Sequence, residues 1–335
     1  MNYTTVFIGG LLSSLASTSL AFSLDVREVH EYFKRNQEER SQIPFLDGNA
    51  PIHEQLTDQA LKCGVAGSFC DRLANLGIRS DDIREGVRSN DFPAQYLDSN
   101  AAWWCKGRVL RITNDGHVGC ILGSFAKASN NRDMFKKDAW ARQRPFGMRG
   151  HFGDLQFLHA MAPLEQTAGA TYDGIAMWME FAYRASLDEF DLRTYADALP
   201  VKGMSQYFVR GSRRAGDLLN YRFDKATARG VALGQMLHIA QDSFAGCHVK
   251  RNSEGKVVRF LSYEKQTSSR HAEHDRDREK VEAALSGPLN PVKFAERLFE
   301  LRLAGKGWEH VEPLVKEYFH PVDRGTRAEA GSHCK

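Results

Sequence analysis

The sequence predicts an all-α fold with small β-hairpin insertions, and three observations support this prediction. Apolar residues recur at helical intervals along much of the chain, as in the segment 163–186. A polar cluster at 80–82 is typical of a helix start, and Pro93 lies just beyond the predicted end of that helix. Apolar and polar residues alternate on both sides of Asn114-Asp115-Gly116, which is typical of a hairpin.

The remaining elements follow one another without internal repeats, so we expect residues 22–335 to form a single domain. A second short hairpin is expected at Lys256 to Tyr263. In chain order, the predicted helices are 24–42, 52–61, the one that starts at 80–82, 163–186, the one that carries His238, 268–285, 292–303 and 309–319.

The bulk composition is that of an ordinary globular protein. Of the 335 residues, 42% are hydrophobic and 26% are charged, which is close to the average for soluble domains. The formal net charge of +3 is close to balance, so nothing in the charge requires a nucleic-acid partner.

The N-terminus has the pattern of a secretory signal peptide. Val6 to Leu20 form an uncharged run of apolar and small residues, and charged sequence begins at Asp25. Small residues favour cleavage after Ala21 or after Ser23. The departure from the usual pattern is that no Lys or Arg precedes the run. A membrane anchor is the alternative, but the run is short and rich in Ser and Gly, so we expect a secreted or periplasmic protein.

Six cysteines follow this segment, at positions 63, 70, 105, 120, 247 and 334. An even number in an exported chain permits disulfide bonds, and the local pairings we predict are Cys63 with Cys70 and Cys105 with Cys120. The alternative is zinc ligation by cysteine, but no Cys-x2-Cys spacing supports it.

The stretch Gly234 to Arg251 carries the strongest chemical signal. His238 and Asp242 lie four residues apart, so on a helix both project from one face, while apolar residues form a separate packing face. Gly246 can end the helix and let His248 return toward the same point. A neutral imidazole and a carboxylate in this arrangement can bind a divalent metal ion, and a solvated pair is the alternative.

A second His-x3-Asp pair follows at His271 and Asp275. Its presence close to His248 argues against two unrelated solvated pairs. Nitrogen and oxygen ligands without cysteine indicate zinc first, ahead of manganese or iron. Paired metal ions in hydrolytic sites need a bridging carboxylate, and Asp242 lies between two histidines in the sequence.

These motifs, His238-x3-Asp242-x5-His248 and His271-x3-Asp275, resemble the trinuclear zinc site of the zinc-dependent phospholipase C and single-strand nuclease superfamily. The segments QDSF and HVKR are most similar to a branch of secreted bacterial zinc metallophospholipases C. The resemblance implies an all-α fold and a site in which three zinc ions hydrolyse phosphodiesters. For the bacterial branch it implies cleavage of phosphatidylcholine to diacylglycerol and phosphocholine.

The resemblance extends upstream to further zinc ligands. His53 is similar to the ligand on the family's first helix, and a surface histidine is the alternative. The segment that contains His151 resembles the family's His-Phe-x-Asp motif, which makes His151 a ligand. The family has an Asp before that histidine. We favour Asp91, which fits the local pattern, over Asp138, which fits the usual spacing, and residues 94–150 then become an insertion.

The predicted mature N-terminus departs from the family pattern. The family's third zinc is held partly by an N-terminal Trp, and no Trp lies near Phe22 or Leu24. Either Asp47 or His30 replaces it, or the site holds two metal ions rather than three. The remaining histidines have no partner in the sequence and are interpreted as ordinary residues, among them His117, His159, His310, His320 and His333.

The resemblance therefore implies an assignment of every ligand. The groups are one zinc at Asp91, His151, His238 and Asp242, a second at His248, His271 and Asp275, and a third at His53 with Asp242. Asp242 is expected to bridge metal ions, and Asp91 is expected to orient or deprotonate the attacking water.

The expected activity is that of a secreted phospholipase C. Its substrate is a phospholipid at a membrane or micelle surface, cut at the glycerol side of the phosphodiester, and the enzyme is expected to be a monomer. One alternative is a zinc-dependent single-strand nuclease or nucleotidase on the same scaffold. The other is an exported metal-binding protein without enzymatic activity.

Overall fold

The computed structural model describes residues 52–91, 146–219, 224–267, 271, 283 and 285–334. Within these ranges the chain is mostly helical with one two-stranded sheet, which confirms the predicted fold class. The helices are α1 (Ile52–Leu61), α2 (Phe69–Ala74), α3 (Ser80–Ser89), α4 (Phe146–Phe152), α5 (Ala168–Ser186), α6 (Met204–Tyr207), α7 (Ala215–Leu218), α8 (Lys225–Asp242), α9 (Pro291–Leu303) and α10 (Trp308–Phe319). The strands are β1 (Val249–Arg251) and β2 (Val257–Phe260).

Several predicted features lie outside the described residues. They are the signal peptide, the helix at 24–42, the hairpin around Asn114, the pair Cys105 and Cys120, most of the insertion at 94–150 and most of the helix at 268–285. The predicted ligand Asp275 and the alternative ligands Asp138, Asp47 and His30 also lie outside them. These stay predictions.

Helix α8 is the centre of the helical core. It packs mainly against α3 and α5, and less extensively against α1 and α9. From Val231 to Asp242 its side chains are buried around the whole circumference, including polar ones such as Gln235 and His238. His238 and Asp242 do share one face, as predicted, since Nε2 of His238 lies 2.9 Å from Oδ2 of Asp242. Other parts of the protein cover that face as well as the apolar one.

Polar groups define both ends of α8. Asp224 caps the start, since its carboxylate accepts a hydrogen bond of 2.9 Å from the backbone N–H of Thr227. The helix ends at Asp242 with Ser243 as its C-cap, so the predicted end at Gly246 is wrong. A short turn then leads to His248.

Glycines allow the backbones of α3 and α8 to touch. A Cβ atom on Gly234 would lie 2.6 Å from the nitrogen of Val87, and one on Gly86 would lie 2.7 Å from the carbonyl carbon of Val231. Both distances are well inside van der Waals contact, so only glycine permits this approach. As a result, the end of α3 and the following Asp91 lie against the last turns of α8.

The two strands form a hairpin that begins directly after His248. Val249 pairs with Phe260 in antiparallel register. The predicted hairpin at Lys256 to Tyr263 therefore supplies only one strand, because the chain turns earlier, around Asn252. The side-chain oxygen of Asn252 accepts the backbone N–H of Lys256 at 2.9 Å, an interaction typical of a turn.

The structure contains disulfide bonds at two described places. Cys63–Cys70 follows α1 and confirms a predicted pair. Cys247–Cys334 joins the residue before His248 to a 3-10 turn at Ser332–Cys334, a pairing that the sequence alone did not suggest. Among the described helices, none combines the length and the apolar character that spanning a membrane requires.

Candidate metal centre

The candidate ligands converge around the end of α8. They come from distant parts of the sequence, yet every one that the structure describes is buried. They are His53 on α1, Asp91 after α3, His151 on α4, His238 and Asp242 on α8, His248 before β1, and His271.

His53, His238 and Asp242 form one compact group. Each offers a ligand atom within 4.8 Å of the others. The two imidazole rings stack with centroids 4.3 Å apart. Nε2 of His238 lies 2.9 Å from Oδ2 of Asp242, and Nε2 of His53 lies 3.4 Å from Oδ1. The two carboxylate oxygens of Asp242 therefore face different histidines.

Asp91, His151 and His159 form a second group within the same distance of one another. Oδ1 of Asp91 lies 3.9 Å from Nε2 of His151 and 3.7 Å from Nδ1 of His159. It also lies 3.9 Å from Nε2 of His238, so Asp91 adjoins both groups. The expected first zinc site placed Asp91 and His151 with His238 and Asp242, whereas the structure adds His159 between them.

His159 is the site residue that the sequence pattern missed. Its Nδ1 lies 3.0 Å from Oδ2 of Asp242 and 3.0 Å from Nε2 of His238. Its interpretation as an ordinary residue is wrong, because its ring lies inside the cluster. The sequence pattern missed it because Asp242 and His238 are distant in sequence and no motif connects them to it. One signal was present: His159 stands in the apolar run 155–162, and a histidine buried there needs a polar partner.

His248 and His271 form a third group beside the other two. Their Nε2 atoms lie 3.1 Å apart. Nδ1 of His248 lies 3.7 Å from Oδ2 of Asp242, so this carboxylate borders the third group as well. The expected third member, Asp275, lies outside the described residues.

Backbone carbonyl groups fix the tautomers of two of these histidines. Nδ1 of His238 lies 2.7 Å from the carbonyl oxygen of Val87, and Nδ1 of His248 lies 2.6 Å from that of His159. A carbonyl oxygen only accepts hydrogen bonds, so each Nδ1 carries the proton. In the neutral ring, Nε2 then presents a lone pair, which is what a metal ion binds.

Glutamine side chains fix the tautomers of two further histidines. Nδ1 of His53 lies 2.7 Å from Oε1 of Gln241, and Nδ1 of His271 lies 2.5 Å from Oε1 of Gln266. Both glutamines donate their amide NH2 groups to other oxygen atoms, which assigns Oε1 as the acceptor. Four imidazoles therefore present Nε2 lone pairs within one buried cluster.

Buried polar atoms without hydrogen bonds show whether the cluster suits a cation. With both Nδ1 atoms protonated, the Nε2 lone pairs of His248 and His271 face each other, which is repulsive between neutral rings. Nε2 of His159 and Oδ1 of Asp242 are buried and make no hydrogen bond within the described part of the chain. Such atoms are exceptions in folded proteins, and a bound metal ion would give them a partner.

Electrostatics favour the same conclusion. Burial lowers the pKa of His159 and of His238 to about 4, and holds that of His271 well below its usual value, so these rings are neutral near pH 7. Burial opposes ionisation of Asp242, but the surrounding histidines hold its pKa well below the usual range. No Lys or Arg in the described ranges pairs with Asp242. A buried anion among neutral rings favours a bound cation.

Among the residues that the structure describes, no cysteine belongs to the donor set of this centre. Cys247, His333 and Cys334 lie close enough together to share a metal ion. The two sulfur atoms are joined in a disulfide bond, however, so neither is available as a thiolate ligand. The donors at the candidate centre are therefore imidazole nitrogen and carboxylate oxygen.

No family model, curated protein or solved structure matches this chain. The geometry itself defines the class of site, a buried His/Asp cluster positioned to bind metal ions. The resemblance to the phospholipase C and nuclease superfamily rests on the sequence motifs.

Proposed function

We propose that this protein is a secreted, zinc-dependent phosphodiester hydrolase of the phospholipase C type. One observation supports metal dependence above all others. Four buried histidines have Nδ1 held by oxygen acceptors and present Nε2 in a cluster that contains two buried carboxylates. The choice of phosphodiester chemistry comes from the two His-x3-Asp motifs that contain Asp242 and Asp275.

The donor set favours zinc among the common divalent ions. Zinc is typically held by four ligands, and histidine nitrogen and carboxylate oxygen are among its preferred donors. Magnesium and calcium prefer sites built from oxygen, which this histidine-rich cluster does not offer. The residues that would hold the ions are His53, His238 and Asp242 for one, Asp91, His151 and His159 for another, and His248 with His271 for a further one.

When bound, zinc supplies Lewis acidity, since it lowers the pKa of a coordinated water and offsets the charge of the phosphate. The protein's own groups provide the rest of the chemistry. We assign to Asp91 the orientation of the attacking water and the acceptance of its proton, because its carboxylate lies beside histidines of two groups. Asp242 holds the groups together, because its two oxygens face different histidines.

The proposed substrate is a phospholipid at a membrane or micelle surface. The near-neutral net charge supports a lipid over a nucleic acid, whose phosphates favour strongly basic surfaces. The test is turnover of phosphatidylcholine, phosphatidylglycerol and single-stranded DNA by the purified mature protein. Preferred cleavage of DNA would replace the phospholipase assignment with a nuclease on the same metal scaffold.

Metal analysis in the same experiment separates an enzyme from a metal-binding protein. We expect bound zinc, loss of turnover after treatment with a strong chelator, and recovery on adding zinc but not magnesium. Full zinc occupancy with no turnover of any phosphodiester would favour the non-enzymatic alternative.

The disulfide bonds support the export part of the proposal. Cys63–Cys70 and Cys247–Cys334 both require an oxidising compartment to persist in most cells. N-terminal sequencing of the exported protein tests it, with the mature chain expected to begin at Phe22 or Leu24. A protein that stays in the reducing cytoplasm would contradict export.

A further inference from the structure

The disulfide between Cys247 and Cys334 lies next to the third group of the candidate centre. Cys247 directly precedes His248 in the sequence. Both cysteines are fully buried. The bond spans 87 residues of sequence, so it connects this part of the site to a distant segment of the chain.

Both ends of the disulfide hold the segment that leads to His271. The carbonyl oxygen of Cys247 accepts the side-chain amide of Gln266 at 2.9 Å, and Gln266 in turn accepts Nδ1–H of His271 at 2.5 Å. The carbonyl oxygen of Cys334 accepts the backbone N–H of Thr267 at 2.9 Å. The carbonyl oxygen of Thr267 then accepts the backbone N–H of His271 at 3.0 Å.

Each half of the disulfide therefore reaches His271 by its own route. The Cys247 route fixes the tautomer of the imidazole, and the Cys334 route fixes the backbone that carries it. A further hydrogen bond of 2.9 Å between Nε2 of His333 and the carbonyl oxygen of Gly246 ties the same two segments together.

We propose that the Cys247–Cys334 disulfide is a positioning element for the third metal group: it holds the His271 segment against His248, so that a metal ion binds this pair only when the disulfide is formed. This inference rests on the proposed metal-dependent function. It makes the binding of one metal ion depend on a disulfide bond, which the other two groups do not need.

The first experiment compares two pairs of substitutions in the full mature chain. Cys247→Ser with Cys334→Ser removes the positioning disulfide, and Cys63→Ser with Cys70→Ser removes a disulfide elsewhere as the control. Serine is needed because two free thiols beside His333 would themselves bind zinc. The readouts are zinc per protein after dialysis, cobalt titration followed by visible absorption, and circular dichroism for folding.

We expect the Cys247→Ser/Cys334→Ser protein to lose one metal ion per molecule and the control pair to keep the parent content. Parent metal content and affinity in a folded Cys247→Ser/Cys334→Ser protein would overturn the inference and leave the proposed function standing. A parent protein that binds no metal would overturn both.

A second variant covers the case in which the serine pair does not fold. Gln266→Leu keeps both disulfides but breaks the route from Cys247 to His271. Loss of a hydrogen-bond partner to a metal ligand typically weakens metal binding about 10–100-fold. We expect that loss for the ion at the His248 and His271 pair alone, with an unchanged circular dichroism spectrum. Parent affinity in Gln266→Leu would refute the link whatever the serine pair shows.

Discussion

Nδ1 of His238 lies 2.7 Å from the carbonyl oxygen of Val87. Val87 is on α3 and His238 on α8, so this hydrogen bond joins the close helix crossing to the candidate metal centre. Because the acceptor is a backbone atom, the orientation of the imidazole depends on the distance between the two helices. Stability and metal binding should therefore change together when this crossing changes.

Gly234→Ala should destabilise the protein and weaken metal binding. Alanine is normally better than glycine inside a helix by up to about 1 kcal/mol. Here the added Cβ would lie 2.6 Å from the nitrogen of Val87, so the helices must separate. We expect the free energy of unfolding to fall by about 1–3 kcal/mol. Urea unfolding and zinc content are the measurements.

Gly325→Ala is the control for that substitution. Gly325 lies in an exposed segment, and an added Cβ would come no closer than 3.3 Å to the Asp323 side chain. We expect a change of less than about 0.5 kcal/mol in the free energy of unfolding. Equal effects of the two substitutions would contradict the importance of the α3–α8 contact.

His159→Ala should reduce metal binding as strongly as the loss of a residue in the recognised motifs. Its Nδ1 lies 3.0 Å from Oδ2 of Asp242, between the first two groups. We expect at least one metal ion fewer per molecule and a loss of more than about 100-fold in turnover, since even ligand-orienting partners contribute 10–100-fold. Unchanged zinc content would restore the ordinary interpretation of His159.

His238→Ala and Asp242→Asn should each abolish zinc binding at the first group and with it the activity. His238 loses a lone pair directed at the cluster, and Asp242 loses the charge that borders all three groups. His310→Ala is the matched control, because His310 is an exposed histidine beside Glu309. The measurements are zinc content and turnover of a phosphodiester substrate. Retention of both properties by both variants would end the metal hypothesis.

The metal-free protein should lose stability as the pH falls from about 6.5 to about 4. Histidine in an unfolded chain titrates near 6.5, whereas burial lowers the pKa of His159 and His238 to about 4. Between these values the unfolded chain binds more protons, so acid favours unfolding. Above about pH 6.5 these two groups no longer change the stability.

The expected loss is a few kcal/mol in total, since each unit of pKa shift corresponds to about 1.4 kcal/mol per group. Urea unfolding of the chelator-treated protein at about pH 7, 5.5 and 4.5 measures it. A free energy of unfolding that is constant over this range would show that the two rings take up protons at the same pH in the folded protein as in the unfolded chain.

The spacing of apolar residues and the capping residues predicted many of the helices, because neighbouring residues in the sequence define many helix ends. Helix α1 spans the predicted Ile52–Leu61. Helix α5 begins at Ala168 rather than at Pro163, because the Thr167 side chain caps it by accepting the backbone N–H of Ala170. The burial of α8 on every side was not predictable from its own residues, since it depends on the other helices that pack around it.

Some residues of the candidate centre were likewise predictable from the sequence, and others were not. The motif with His238 and Asp242 is visible in the sequence because one helical turn brings the two side chains together. Asp91 is one of two alternatives in the sequence, and the fold places it beside His238, whereas Asp138 lies outside the described residues. The contacts of His159 Nδ1 with His238 and Asp242 span 79 and 83 residues of sequence, so no local motif shows them.

The carbonyl group that orients His238 has a further consequence for the evolution of such a site. No replacement of the Val87 side chain removes the acceptor, because the oxygen belongs to the main chain. Any residue that preserves the helix at this position preserves the tautomer of the imidazole. The orientation of this ring therefore depends on the spacing of two helices, and we expect it to tolerate side-chain substitution at position 87.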